Sequence, residues 1–255
     1  MTITLPTLSG AVLVYLLVFA RTGAMLMLLP PIGDANVPAR VRLILALAIA
    51  IALAPSVAPS YPQTAPASVA ALTLLIMQEV TIGVLIGTLA RIIINAMSIA
   101  GTVIAAQTGL SYAEALDPTS HGQQGAVIGN FLSILAVVMI FAANLHHLVI
   151  GAVAGSYHLI PPGTQLPTGD MAELAVRIVS ETFLLGFQLA APFLVFGFAV
   201  NAGFGILARM MPQLQVFFVA TPLNIMVGFV VMTLLLGTMM SLFLSFYGAQ
   251  MATFL

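Results

Sequence analysis

The chain has 255 residues, 61% hydrophobic and only 5% charged, with six cationic side chains, seven Asp or Glu, and a formal net charge of −1. An ordinary soluble domain carries about 25% charged residues, so this chain cannot coat a soluble surface, and the soluble enzyme classes are excluded. All six cations are Arg and there is no Cys, which removes Lys-based Schiff-base and P-loop chemistry, thiolate nucleophiles and disulfides. No basic run offers nucleic acid a grip.

With a mean hydropathy of +1.17, the fold class is all-α: a polytopic helical membrane protein. A span needs about 20 apolar residues, and six candidate segments follow in chain order: 8–29, 41–54, 68–107, 125–157, 171–208 and 217–248. The opening MTITLPTLSG lacks the positive region of a cleaved signal peptide, so the first segment is expected to stay in the mature protein. Prolines at 30, 31, 38, 55, 118, 161, 162, 167 and 212 punctuate the gaps and mark loops.

Two segments are too long for a simple span. Residues 68–107 would run about 60 Å as one helix, twice the hydrocarbon thickness, so the segment must kink, project, or break into a hairpin, with Gly83, Gly87 and Gly101 as the weak points. Residues 171–208, with Pro192 and Gly197 inside, pose the same problem. Arg40, Arg42 and Arg209 lie in loops that fall on one side if spans alternate, which assigns that side to the cytoplasm. The N-terminus, the loop 55–66 and the loop with Asp170 then face away, and 109–124 faces in.

Ionisable groups inside apolar segments are costly and default to function. Here they are Arg21, Glu79, Arg91, Arg177 and Glu181. Arg177 and Glu181 are four apart on one helix face and read as a local ion pair. Glu79 reads as the partner of an Arg from another segment in preference to a proton relay, and Arg21 and Arg91 either accept such a carboxylate or snorkel. Gln107, Gln188 and Asn201 are further polar groups that need partners in lipid. His146 and His147 are adjacent and diverge by about 100° on a helix, so they read as polar contacts, not metal ligands. No Ser-His-Asp, paired-carboxylate or HExxH pattern occurs. The pairs Gly83 with Gly87 and Gly151 with Gly155, and Gly197 with Gly203 and Gly205, would let helices approach closely.

The most informative tract is QTGLSYAEALDPTSHGQQG, residues 107–125. It joins two very apolar segments and is turn-prone, yet it keeps Leu110, Tyr112 and Leu116 among small and acidic residues. That pattern fits a re-entrant or pore-facing element, which needs protein or water around it.

At this tract the chain resembles the FliR/SctT family, the export-gate subunit of the bacterial flagellum and related type III secretion systems. The likeness shows in PPIGDANVPARVR (30–42), QEVTIGVLIG (78–87) and AGTVIAAQTGLSYAEALDP (100–118). It is most specific in NAGFGILARMMPQLQVFFVATPLNIMVGF (201–229), and it covers nearly the whole length.

The resemblance implies a structural, non-enzymatic, pore-forming subunit without cofactors. It implies assembly with P and Q subunits into a closed helical gate, association of a B subunit, and passage of unfolded flagellar proteins across the inner membrane. It further implies a single export-gate domain over 1–255, P-subunit-like over 1–160 and a Q-subunit-like helical hairpin over 171–255. The residues it marks for a pore plug are Gly109, Leu110, Ser111, Tyr112, Leu116, Asp117 and Pro118. The intramembrane polar and assembly residues read from the sequence itself are Glu79, Arg91, Gln107, Arg177, Glu181, Asn201, Arg209, Pro212 and Gln213. A virulence secretion system is the alternative setting. A small-solute transporter is the competing class, but it should show repeats around a midplane site, and none is found.

Overall fold

The computed structural model describes residues 10–34, 37–61, 68–115, 126–210 and 216–254, and every regular element among them is helical. The elements are α1 (Gly10–Leu28), α2 (Ala39–Val57) with a 3-10 turn at Ala58–Ser60, α3 (Val69–Thr108), α4 (Leu110–Ala115), α5 (Ala126–Ala142), α6 (His146–Leu159), α7 (Thr168–Met210) and α8 (Val216–Ala252). Among the described residues, five helices are long and apolar enough to cross a membrane, and a sixth span results if α5 and α6 are taken together.

Local signals explain most boundaries. Ser68 caps α3: its hydroxyl accepts the Ala71 N–H at 3.2 Å and its carbonyl the Leu72 N–H at 3.1 Å, satisfying donors that a helix start leaves open. Pro38 precedes α2, where a missing N–H costs nothing. Asp170 in the first turn of α7 and Arg209 in its last turn both complement the helix dipole.

The two over-long runs are each one uninterrupted helix. α3 has 40 residues and α7 has 43, the latter running straight through Pro192. The glycines expected to weaken α3 do not break it, because neighbouring backbone occupies the space beside them, as shown below. The break falls instead in the fourth segment, which the sequence reading took as continuous. Asn144 there adopts a left-handed φ of 58°, a conformation Asn tolerates better than most residues. The Ala143 N–H still bonds Met139, closing α5, and the His147 N–H bonds the Asn144 carbonyl, opening α6.

The chain forms two compact units. The first comprises Met1–Ile93, Asn144–Ile178 and Tyr247–Leu255. Its core holds Leu17, Val18 and Met25 from α1, Ile82, Ile86 and Leu89 from α3, and Val149, Ala152 and Val153 from α6. The second comprises Ile94–Ala143 and Val179–Phe246. Its core holds Met97 and Ile104 from α3, Leu132 and Ala136 from α5, Leu189 and Phe193 from α7, and Phe243 from α8.

Glycines set the helix contacts inside each unit. In the first, a Cβ on Gly83 would strike the Arg21 carbonyl of α1, and one on Gly87 would come within 2.6 Å of the Met25 carbonyl. In the second, Gly101 of α3 faces Gly129 of α5, Gly186 of α7 packs on Ile99, and Gly228 of α8 packs on Thr108. Among the described residues, nothing lies within 4 Å of a Cβ added at Gly203 or Gly205.

Candidate functional site

The first unit is built around a buried charge. The inward face of α1 carries Leu17, Val18, Arg21, Thr22, Met25 and Leu26, a helical stripe in which Arg21 is fully buried. Glu79 of α3 meets it. Arg21 Nε donates to Glu79 Oε2 at 2.6 Å and Nη2 to Oε1 at 3.1 Å, with both side chains 0% exposed. This is the bidentate geometry that makes an Arg–carboxylate pair strong.

α6 completes the guanidinium's environment. Arg21 Nη1 donates to Ser156 Oγ at 2.8 Å and Nη2 to the Ile160 carbonyl at 3.4 Å. The guanidinium carbon stands 3.7 Å from the Tyr157 ring centroid, within cation–π range. The Ser156 hydroxyl in turn donates to the Val153 carbonyl at 2.6 Å. Tyr61, just after the 3-10 turn, closes the cluster, its hydroxyl 3.5 Å from that of Tyr157. Burial pushes the Tyr61 hydroxyl well above the usual phenol range, reinforced by the charge of Glu79, so it stays protonated and able to donate. Four segments thus converge on one satisfied ion pair, a neutral unit that needs no water.

The sequence reading paired Glu79 with an Arg of another segment, and that Arg is Arg21. It did not single out Ser156, Tyr157 or Tyr61. Their only signal was position: Ser156 and Tyr157, with His158, form a polar run at the end of a helix whose middle is apolar. Arg91 is not buried in this chain; its side chain is 49% exposed and lies 3.9 Å from Asp34.

The second unit contains the tract expected to face a pore. It is not an open loop where it is described. Gly109, at φ 80°, turns the chain out of α3, a conformation that favours glycine, and Leu110–Ala115 forms the short helix α4. Leu110 and Ser111 are half-buried, whereas Tyr112 is 60% exposed. The turn is anchored from α8: Asn224 Nδ2 donates to the Gln107 carbonyl at 3.3 Å, and Thr108 is buried against Gly228. The Gln107 side chain occupies the space left open by Gly197 of α7. Leu116, Asp117, Pro118, Pro212 and Gln213 lie outside the described residues.

The remaining marked residues sit along α7. Arg177, Asn201 and Arg209 are exposed and Glu181 is half-buried. Large apolar side chains are exposed beside them, including Phe183, Phe187, Val195 and Phe198 on α7 and Met226, Val230 and Leu234 on α8. Among the described residues, no cluster of three His, Cys, Asp or Glu could hold a metal ion.

Comparison with known proteins follows the same span of chain. A family model described as bacterial export proteins, family 1, matches residues 12–249. A protein of Caulobacter vibrioides named flagellar biosynthetic protein FliR is 40% identical over 221 residues, 87% of this chain and 87% of its own. Proteins of the same name from Bacillus subtilis and Escherichia coli are 32% identical over 86% of this chain and 31% identical over 85%; 84% and 81% of their own lengths are covered.

Proposed function

The chain belongs to the bacterial export proteins, family 1, and from that premise we propose that it is a structural, pore-forming subunit of the flagellar type III protein export gate. It sits in the bacterial inner membrane, within the flagellar basal body, and helps unfolded flagellar proteins cross. The observation that carries this reading is the match over residues 12–249 together with flagellar relatives up to 40% identical.

The physical chemistry fits a subunit that works by being packed among others. The fully buried Arg21–Glu79 pair is satisfied within the chain, so neither of its charges is offered to a solute. Its long helices instead turn Phe, Leu and Val outward, as a helix must when lipid or another apolar helix covers it. The partners of this reading are P and Q subunits in a hetero-oligomeric gate, a B subunit, and the unfolded substrates themselves. In it, residues 1–160 take the part of a P-like subunit and 171–255 that of a Q-like hairpin. The turn at Gly109 with α4 and the residues through Pro118 closes the resting pore, and the polar residues of α7 serve assembly. The chain carries out no chemical reaction of its own.

The test is affinity purification of the tagged chain from its native membrane in mild detergent. A stoichiometric complex with P and Q subunits is expected. A monomer that binds a small solute would replace this reading with that of a transporter.

A further inference from the structure

We propose that the Arg21–Glu79 pair is a register lock, selecting which turn of α3 lies against α1. The two glycine contacts between these helices advance together: Gly83 meets the Arg21 carbonyl and Gly87 the Met25 carbonyl. Both steps are four residues in the same direction, so the helices run parallel here. That spacing alone is ambiguous. A slide of one turn, about 5.4 Å, would still leave one glycine beneath one of the two carbonyls. The rest of the inward stripe of α1, Leu17, Val18, Thr22, Met25 and Leu26, carries no charge that would single out one turn of α3.

The ion pair does distinguish the turns. Glu79 lies one turn before Gly83 and takes two hydrogen bonds from Arg21 at 2.6 and 3.1 Å. A one-turn slide carries the carboxylate out of reach. The guanidinium cannot follow it, since Ser156 and the Ile160 carbonyl hold it from α6 and the Tyr157 ring covers its face. A slipped register therefore strands two buried charges, whereas the native one satisfies both. A buried pair of this kind adds little net stability over an apolar pair of the same shape, but it penalises every arrangement in which its partners are apart.

The experiment separates register from stability. The chain has no Cys, so Met27→Cys and Leu74→Cys, both at exposed positions, can carry nitroxide labels. Aligning Arg21 with Gly83 puts them about 15 residues apart along the helix direction, roughly 20 Å. Electron–electron distances are measured on the full chain, purified with the subunits that accompany it, in the native background and in Arg21→Met, Glu79→Met and the double variant. Each single variant should lower the amount of chain at least about tenfold by stranding a charge. The double variant should recover most of that amount, yet show a second population displaced by about 5 Å. A double variant that recovers with the single native distance would overturn the proposal. So would one that stays as depleted as the single variants, since the pair would then be a plain stabiliser.

Discussion

Gly101 of α3 and Gly129 of α5 meet backbone to backbone: a Cβ added to Gly101 would clash with the Gly129 N and Cα. No flexible side chain stands between them to give way. Gly101→Ala must therefore push the two helices apart, an overpacking cost of about 1–3 kcal/mol. The expected result is a lower thermal aggregation midpoint in detergent, while Gly203→Ala, which meets nothing within 4 Å among the described residues, does not lower it. Equal midpoints for both variants would mean that the crossing of α3 and α5 is not fixed by this contact.

Asn144 carries the break between α5 and α6 at φ 58°. A β-branched residue is strained in that region by roughly 1–3 kcal/mol, whereas glycine enters it freely. Asn144→Val should lower the yield of folded chain and Asn144→Gly should not. A tolerated Val would show that the left-handed conformation is dispensable for the break.

How much of this was legible in the sequence depends on the kind of signal. Helices were, because near-continuous apolar runs of this length have few other solutions in lipid. The break at Asn144 was not, because one Asn followed by Leu-His-His looks like a mild polar interruption until the backbone angle is known. Glu79 stood out as a carboxylate among apolar residues, and only the fold showed which Arg of another segment meets it: Arg21, on the inward stripe of α1. Arg91, on the same helix as Glu79, is half-exposed and reaches Asp34 instead. Gly83, Gly87 and Gly101 carried the opposite sense in sequence and structure. They looked like hinges, but they are points of close helix contact, since a missing Cβ permits a bend and a close approach alike. The tract at 109–118 advertised its turn through Gly109, and the short helix after it was hidden by its small and acidic residues.

The tract after Gly109 yields a sharp test of closure. On the proposed reading, burying an apolar side chain against neighbouring subunits is worth about 1.5–3 kcal/mol, so Leu110, Tyr112 and Leu116 together would hold the pore shut and still yield to a driven polypeptide. Deleting residues 110–116 should raise the permeability of the membrane to ions or small solutes, in cells whose gate is confirmed to be assembled, while export partly survives. Wild-type permeability in an assembled gate would place the seal on other subunits.

Arg209 is the exposed cation in the last turn of α7, where its charge complements the helix dipole. Being exposed, it is also placed to meet an acidic group of a neighbouring subunit. Arg209→Ala should lower the yield of assembled complex severalfold without altering which substrates are exported. Normal yield combined with changed substrate selection would reverse that assignment.

The central claim is that this chain is a structural part of a flagellar protein export gate, and export itself reads it most directly. The gene is deleted from the chromosome, and flagellar proteins released into the medium are quantified with and without a plasmid encoding the full chain. The account requires that deletion abolish their release while their synthesis continues inside the cell, and that the plasmid restore it. Undiminished release of flagellar proteins from the deletion strain would contradict the account.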